Sequence, residues 1–474
     1  MKTNKAKIVA TLGPASGQEK TMEAMVAAGV NVFRINFSHS DHENAERLVK
    51  IVRKINRKHN LNIAILGDLQ GPKLRIGEVK EGAVLKEGEE LVFTNKETVG
   101  SASEVYMTYP HFATDVKVGD RILIDDGKLL LETVHSNGID KVRARVVQGG
   151  PLKSRKGVNL PNTRISLPCL TEKDLADLEV AMRLRLEWVG LSFVRRPDDV
   201  KQLRDIINKN DAPCHILSKI EKPEAVVEID EIIELSDGIM VARGDLGVEV
   251  PMQAVPLIQK AIVQKCRTQA KPVVIATQMM ESMIDSLSPT RAEVNDVANA
   301  VLDGADAVML SGETSVGANP VKVVEAMSKI VAHVEESGEM SPLADNAPKY
   351  RNERYITDSI CYNASKIADQ VGATAILTMT FSGYTAFKIS SHRPRSSVYM
   401  FTSNRNILNT MSLLWGVRGF YYDKTVSTDQ TFLDIKNIII DQGLVSQGDL
   451  IIKIASMPIE EMGMTNMLKI SKIE

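Results

Sequence analysis

Aromatic residues make up only 4% of this 474-residue chain, and its two tryptophans are Trp188 and Trp415. No stacking platform interleaves with a basic patch, and the formal net charge of −2 gives no electrostatic reason to bind nucleic acid or an anionic membrane. Cysteine is equally sparse. Cys169, Cys214, Cys266 and Cys361 form no CxxC pair and read as reduced core residues. Nothing approaches the ~18 uninterrupted apolar residues of a membrane span, and the opening MKTNKAKIVATLG lacks a signal-peptide core. A cytoplasmic globular chain of two to four domains is the expectation, since one hydrophobic core does not grow to this length.

What is present is a rhythm. KIVATL, NVFRINF and NIAILGD read as buried strands separated by helices, the second helix with Asp41 as its N-cap. From about residue 70 to 166 the rhythm stops, and short β-like runs follow (LVFTN, VYMTY, RILID, KLLLETV, KVRARVV), with turns at Asp126-Gly127, Asn137-Gly138 and Gly149-Gly150. After Pro168 the alternation resumes. A helix capped by Thr171 with Asp174 leads to WVGLSF, and then to HILSKI, DGIMVA, PVVIAT and DAVML, each followed by a helix. Eight strand–helix units in about 240 residues match the ~250 of a (β/α)8 barrel. The expected fold class is therefore α/β: a TIM barrel from 1–69 and 167–340, an inserted small β-barrel lid at 70–166, and a C-terminal α/β open-sheet domain from 355–474. The stretch 338–354 reads as a linker between barrel and C-terminal domain.

Barrels of this kind carry their chemistry at the C-terminal ends of the strands. There the chain places Arg34, Asn36 and Ser38, then Asp68, Ser192, Lys219 with Glu221, and Arg243, Gly244 and Asp245. Thr277 and the run Ser311-Gly312-Glu313-Thr314 complete the rim, while the opposite rim looks plain. Lys219 and Glu221 lie two apart on an extended strand and point the same way. Glu221 and Asp245 offer hard oxygens suited to Mg2+, and a fixed ammonium beside them holds charge on a transferring phosphoryl group. A surface ion pair flanking a helix is the plain alternative for Lys219 and Glu221 alone. Asn36, Ser38 and Asp68 resemble an all-oxygen cation cage, although each is singly a common helix cap. His39 and His42 read as structural, and Met279, Met280 and Met283 as packing.

Seven stretches, VFRINFSHS, GDLQGPKLR, RKGVNLP, ILSKIE, VARGDLGVE, IATQMMESM and LSGETSVG, stand in the order and spacing of the pyruvate kinase family, which the chain resembles over essentially its whole length. That resemblance implies phosphoryl transfer from phosphoenolpyruvate to ADP in glycolysis, a mobile lid, a C-terminal effector domain and a homotetramer. By match to the motifs, Arg34 and Lys219 would hold the transferring group, and Glu221 and Asp245 would bind Mg2+. Gly244, Asp245 and Thr277 would position phosphoenolpyruvate, with Thr277 organising proton delivery through water. Asn36, Arg75 and Lys156 would contact ADP or ATP, a second Mg2+ arriving with the nucleotide.

The family's K+ cage would map to Asn36, Ser38, Asp68 and Leu69. Many members carry an acid where this chain has Lys73, so the resemblance points to the potassium-independent branch, with K+ dispensable. Thr380, Ser382, Gly383 and Thr385, in TFSGYTAFKI, resemble the family's sugar-phosphate effector loop, and AMP is the other candidate effector. Phe381 brings that loop no positive charge, which argues against a bisphosphate. Two other readings stand beside the kinase: a metal-dependent aldolase or lyase acting on pyruvate or oxaloacetate, and a catalytically silent metabolite sensor.

Overall fold

A computed structural model describes residues 4–338, 347–348, 353–424, 426–457 and 463–474. Most of the expected linker, 338–354, lies outside the described residues.

Eight parallel strands close into a barrel: Lys7–Thr11, Val30–Asn36, Ala64–Asp68, Trp188–Leu191, His215–Ile220, Gly238–Ala242, Val273–Ala276 and Ala307–Leu310, the last pairing with the first. They read as apolar runs because both faces are covered, helices outside and packed side chains within. The inner layer joins Val9, Val32, Leu66, Leu217, Met240 and Val274 around Trp188. Helix ends follow local chemistry. Thr171 with Asp174 and Thr290 with Glu293 form reciprocal capping boxes, and Asp41 accepts the Asn44 amide. Gly304, at φ 99°, ends the helix Arg291–Asp303 in the left-handed region that a Cβ disfavours.

Some expectations needed revision. The one helix expected after HILSKI is two, Pro223–Val227 and Ile229–Leu235. Two short helices not expected from sequence, Arg243–Glu249 and Gly312–Ser315, begin at the strand ends.

Between the third barrel strand and its helix lies a six-stranded sheet with a separate hydrophobic core around Leu91, Phe93, Ile122, Leu131 and Val142. Its two edge strands are Val158–Asn159 and Glu104–Tyr106. Single bridges from Arg75 to Gly157 and from Ile76 to Met107 stitch these edges together, so one extended segment closes the small barrel. The C-terminal sheet is open. Ala375–Met379, Ser397–Thr402, Val417–Tyr421 and Leu450–Ala455 run parallel, with Met467–Lys472 antiparallel at the edge.

The rim that looked plain in sequence is where the C-terminal domain docks. Leu413 and Phe387 join the inner layer of the barrel from below, and Trp188 donates to the Thr410 carbonyl at 3.3 Å. Asp306 accepts from Arg393, the Trp415 amide and the Val273 amide at 2.7, 3.1 and 3.0 Å. No helix among the described residues is long and apolar enough to cross a membrane.

Candidate active site

At the opposite rim the strand ends converge on buried charge. Asp68 is 1% exposed and takes Arg34 twice on one oxygen, from Nε at 2.7 Å and Nη2 at 2.6 Å. Its other oxygen faces Lys219 Nζ at 3.3 Å. Lys219 in turn reaches Glu221 at 2.9 Å and donates to Ser192 at 2.7 Å. Four charged side chains from strands two, three and five therefore form one chain. Its order is set by neighbouring strands in the sheet and by the two-residue period that aims Lys219 and Glu221 together.

Electrostatics give each member a state. Burial pushes the Asp68 carboxyl up, but Lys219 and Arg34 outweigh it and hold it below the usual carboxylate range. Burial lowers Lys219, yet Asp68 and Glu221 carry it well above an ordinary lysine, so it stays an ammonium. Glu221 moves the other way, raised by burial and by Asp245 against the pull of Lys219. Its second oxygen accepts the Phe193 amide at 2.7 Å, which is presented by a left-handed backbone at φ 54°.

Asp245 sits in the first turn of the helix Arg243–Glu249. It lines the cleft between barrel and lid with Lys73, Phe193 and Lys222. Among the described residues no group of three or more His, Cys, Asp or Glu forms a self-sufficient metal cage. Two hard carboxylates, one buried and hard to ionise beside the other, fit a Mg2+ that takes its remaining oxygens from substrate and water. Thr277, at φ 70°, accepts the Gly244 amide at 2.7 Å and donates to the Ala276 carbonyl at 2.5 Å. Arg243 fixes that corner, reaching Asp296 at 2.6 Å and the Thr277 carbonyl at 2.8 Å.

The other expected residues are more dispersed. Asn36 accepts the Ser38 amide, and the Leu69 carbonyl accepts Ser192 at 2.7 Å. Lys73 is exposed, with its stem beside Gly157 of the lid, and its charge helps depress His39 after burial and Arg75. Arg75 donates to the Arg155 carbonyl, and Lys156 pairs with Asp125 at 2.8 Å, both inside the lid. In the loop 380–385 the Thr380 and Ser382 hydroxyls accept the Gly383 and Tyr384 amides. Thr385 is 4% exposed and shares a hydrogen bond with Thr465.

Glu313, read at the rim, is structural: it accepts the Met280 and Ser311 amides at 3.1 and 2.7 Å. Sequence reasoning missed Thr11, which receives Arg34 Nη1 at 3.0 Å, and the Phe193 amide. Neither carries a local signal, since a strand threonine and a left-handed phenylalanine are visible only after folding.

A barrel rim that sets an ammonium and a guanidinium against paired carboxylates suits a phosphotransferase, which must hold a charged phosphoryl group. Comparison with known proteins narrows this. The family model described as "Pyruvate kinase, barrel domain" matches residues 3–324, and "Pyruvate kinase, alpha/beta domain" matches 358–471. Pyruvate kinase of Geobacillus stearothermophilus is 41% identical, covering 99% of this chain and 80% of that one. That of Corynebacterium glutamicum is 42% identical, covering 98% and 97%. A crystal structure of a pyruvate kinase from Cryptosporidium parvum superposes with a TM-score of 0.92 at 32% identity, covering 99% and 96%. The chain belongs to the pyruvate kinase family, phosphotransferases that move the phosphoryl group of phosphoenolpyruvate to ADP in glycolysis, giving pyruvate and ATP.

Proposed function

We propose that Arg34 and Lys219 grip the transferring phosphoryl group, and that Glu221 and Asp245 hold the Mg2+ that serves it. The carrying observation is the Arg34–Asp68–Lys219–Glu221 chain, which stores two cations at one point with their counter-charges already aligned. Both substrates are polyanions, so the reaction needs alignment and charge neutralisation more than covalent help. Lys219 acts as a fixed charge. Held as an ammonium between Asp68 and Glu221, it does not suit the role of a Schiff-base amine. A Mg2+ held by Glu221 and Asp245 would supply Lewis-acid stabilisation of the negative charge on the substrates.

Gly244, Asp245 and Thr277 position phosphoenolpyruvate, and Asn36, Arg75 and Lys156 meet the nucleotide as the lid, 70–166, swings over the rim. Transfer to ADP leaves an enolate, which takes a proton at carbon; Thr277 orders the water that delivers it. Lys73, facing the cleft from the lid hinge, supplies standing positive charge near the Asn36–Ser38–Asp68–Leu69 cage, which makes K+ dispensable. Thr380, Ser382 and Gly383 remain the candidate contacts for a sugar-phosphate or AMP effector; Thr385, buried against Thr465, would support the loop rather than touch the ligand. Exposed Leu257 and Val294, on neighbouring barrel helices, suit subunit contacts in a cytoplasmic homotetramer.

The test is the initial rate of pyruvate formation from phosphoenolpyruvate, ADP and Mg2+, in potassium-free buffer and with KCl replacing an inert salt. Full rates in both support the whole reading. A rate only with KCl discards the role of Lys73, and none in either discards the kinase.

A further inference from the structure

Beyond the hinge segments, a single side-chain hydrogen bond ties the lid to the barrel among the described residues. Asn159, on the lid's edge strand, donates its amide to Glu249 Oε1 at 2.8 Å. Among the described residues this is the one hydrogen bond between residues 74–164 and the barrel. Glu249 is 4% exposed, and the same oxygen accepts Lys222 Nζ at 2.6 Å. Its other oxygen, Oε2, is buried with no hydrogen-bond partner. Beside this contact, a Cβ added at Gly127 of the lid turn would lie 3.9 Å from Val248.

The covalent neighbours of these groups matter. Glu249 ends the short helix whose first turn carries Gly244 and Asp245. Lys222 follows Glu221, and Asn159 lies three residues beyond Lys156. One carboxylate thus joins the two metal-side segments of the barrel to the lid strand that bears the nucleotide-facing lysine. Lys222 alone balances the charge of Glu249, so the lid is not needed for neutrality. What it adds is a directional donor to a dry acceptor, where a hydrogen bond to an ionised group is strong. The lid has its own core, with no member in the barrel core, so its seat on the barrel depends on its hinges and on this contact.

We propose that Glu249 is a positioning residue: its bond to Asn159 seats the lid and holds the helix Arg243–Glu249 and the Glu221–Lys222 segment in register, so that lid closure and metal-side alignment occur together. A buried ion pair serving stability alone would leave the kinetics indifferent to Asn159.

The experiment measures kcat, KM for each substrate and the melting temperature of full-length Asn159→Ala, Asn159→Asp, Glu249→Gln and the double variant Asn159→Ala with Glu249→Gln. Asn159→Ala should raise KM for ADP and lower kcat, together about tenfold in kcat/KM, the scale of one lost charge-assisted hydrogen bond. Its melting temperature should stay at the wild-type value. Asn159→Asp, equal in size but repelled by Glu249, should lose more than Asn159→Ala, and the double variant should lose no more than the worse single. Wild-type kinetics for Asn159→Ala, an Asn159→Asp no worse than it, or additive losses would each overturn the proposal. If Glu249→Gln fails to fold, the comparison of Asn159→Ala with Asn159→Asp decides it alone.

Discussion

Asp68 holds Arg34 by two donors on a single oxygen, the carboxylate 1% exposed and the arginine 9%. The second oxygen of Asp68 serves Lys219, so one carboxylate compensates two cations. Asp68→Asn keeps the shape and removes the charge. Leaving a buried cation uncompensated costs about 3 kcal/mol, and the loss of stability should be of that order in chemical denaturation. Turnover should fall at least about 100-fold, because Arg34 and Lys219 lose the partner that aims them. Wild-type stability in Asp68→Asn would show that the pair is not the organising contact.

Thr277 combines a β-branched side chain with φ 70°, a conformation that costs such a residue about 1 kcal/mol or more. Its hydroxyl orients the Gly244 amide at 2.7 Å. Thr277→Gly relieves the backbone and removes the hydroxyl, so its stability should equal or exceed wild type while kcat drops about 100-fold, the scale of a small misplacement of reacting groups. Thr277→Ser keeps the hydroxyl and should retain most of the activity. Equal losses in the two variants would deny the hydroxyl a role.

Lys73 is exposed, lines the cleft and carries no ion pair among the described residues, so its charge is free to serve the cleft. Lys73→Glu reverses two charge units there and should make the rate depend on KCl at constant ionic strength, with little change in melting temperature. A variant that stays active without K+ would separate Lys73 from the cation question.

The barrel was legible because its strands are buried on both faces and read as apolar runs, Val273–Ala276 being the plainest. The site was legible where strand geometry alone aims side chains, as with Lys219 and Glu221. It was not legible where a tertiary contact consumes a group: Glu313 looks like a rim acid until its oxygens are seen on the Met280 and Ser311 amides. The Asn159–Glu249 bond spans 90 residues, and Leu413 enters the barrel floor from another domain. Neither leaves a trace in local periodicity.

Leu413 is 1% exposed and completes the barrel's inner layer beside Trp188. Leu413→Ala opens a cavity between two domains and should cost about 3 kcal/mol in unfolding. Trp188 is one of only two tryptophans and is fully buried, so water entering that cavity should shift the emission to the red. A variant with unchanged stability and emission would mean that the floor repacks and that the two domains are not joined through Leu413.

His392 packs edge-on against Tyr362, 5.6 Å between ring centres, in the C-terminal domain. Burial first, then the charge of Lys388, pushes its pKa down to about 4; Asp358 opposes this, and Lys366 and Arg267 add to it. An unfolded histidine titrates near ~6.5. Between those values the unfolded chain binds a proton that the folded one refuses, so stability falls as pH drops from about 6.5 to about 4. At about pH 5 the loss from this one group should reach roughly 2 kcal/mol. Replacing the imidazole by the neutral amide of His392→Gln removes that slope, so urea unfolding at about pH 7 and about pH 5 should differ less in the variant than in wild type by that amount. An identical slope in both proteins would place the acid sensitivity elsewhere, since neither Lys388 nor Asp358 would then be acting through the ring.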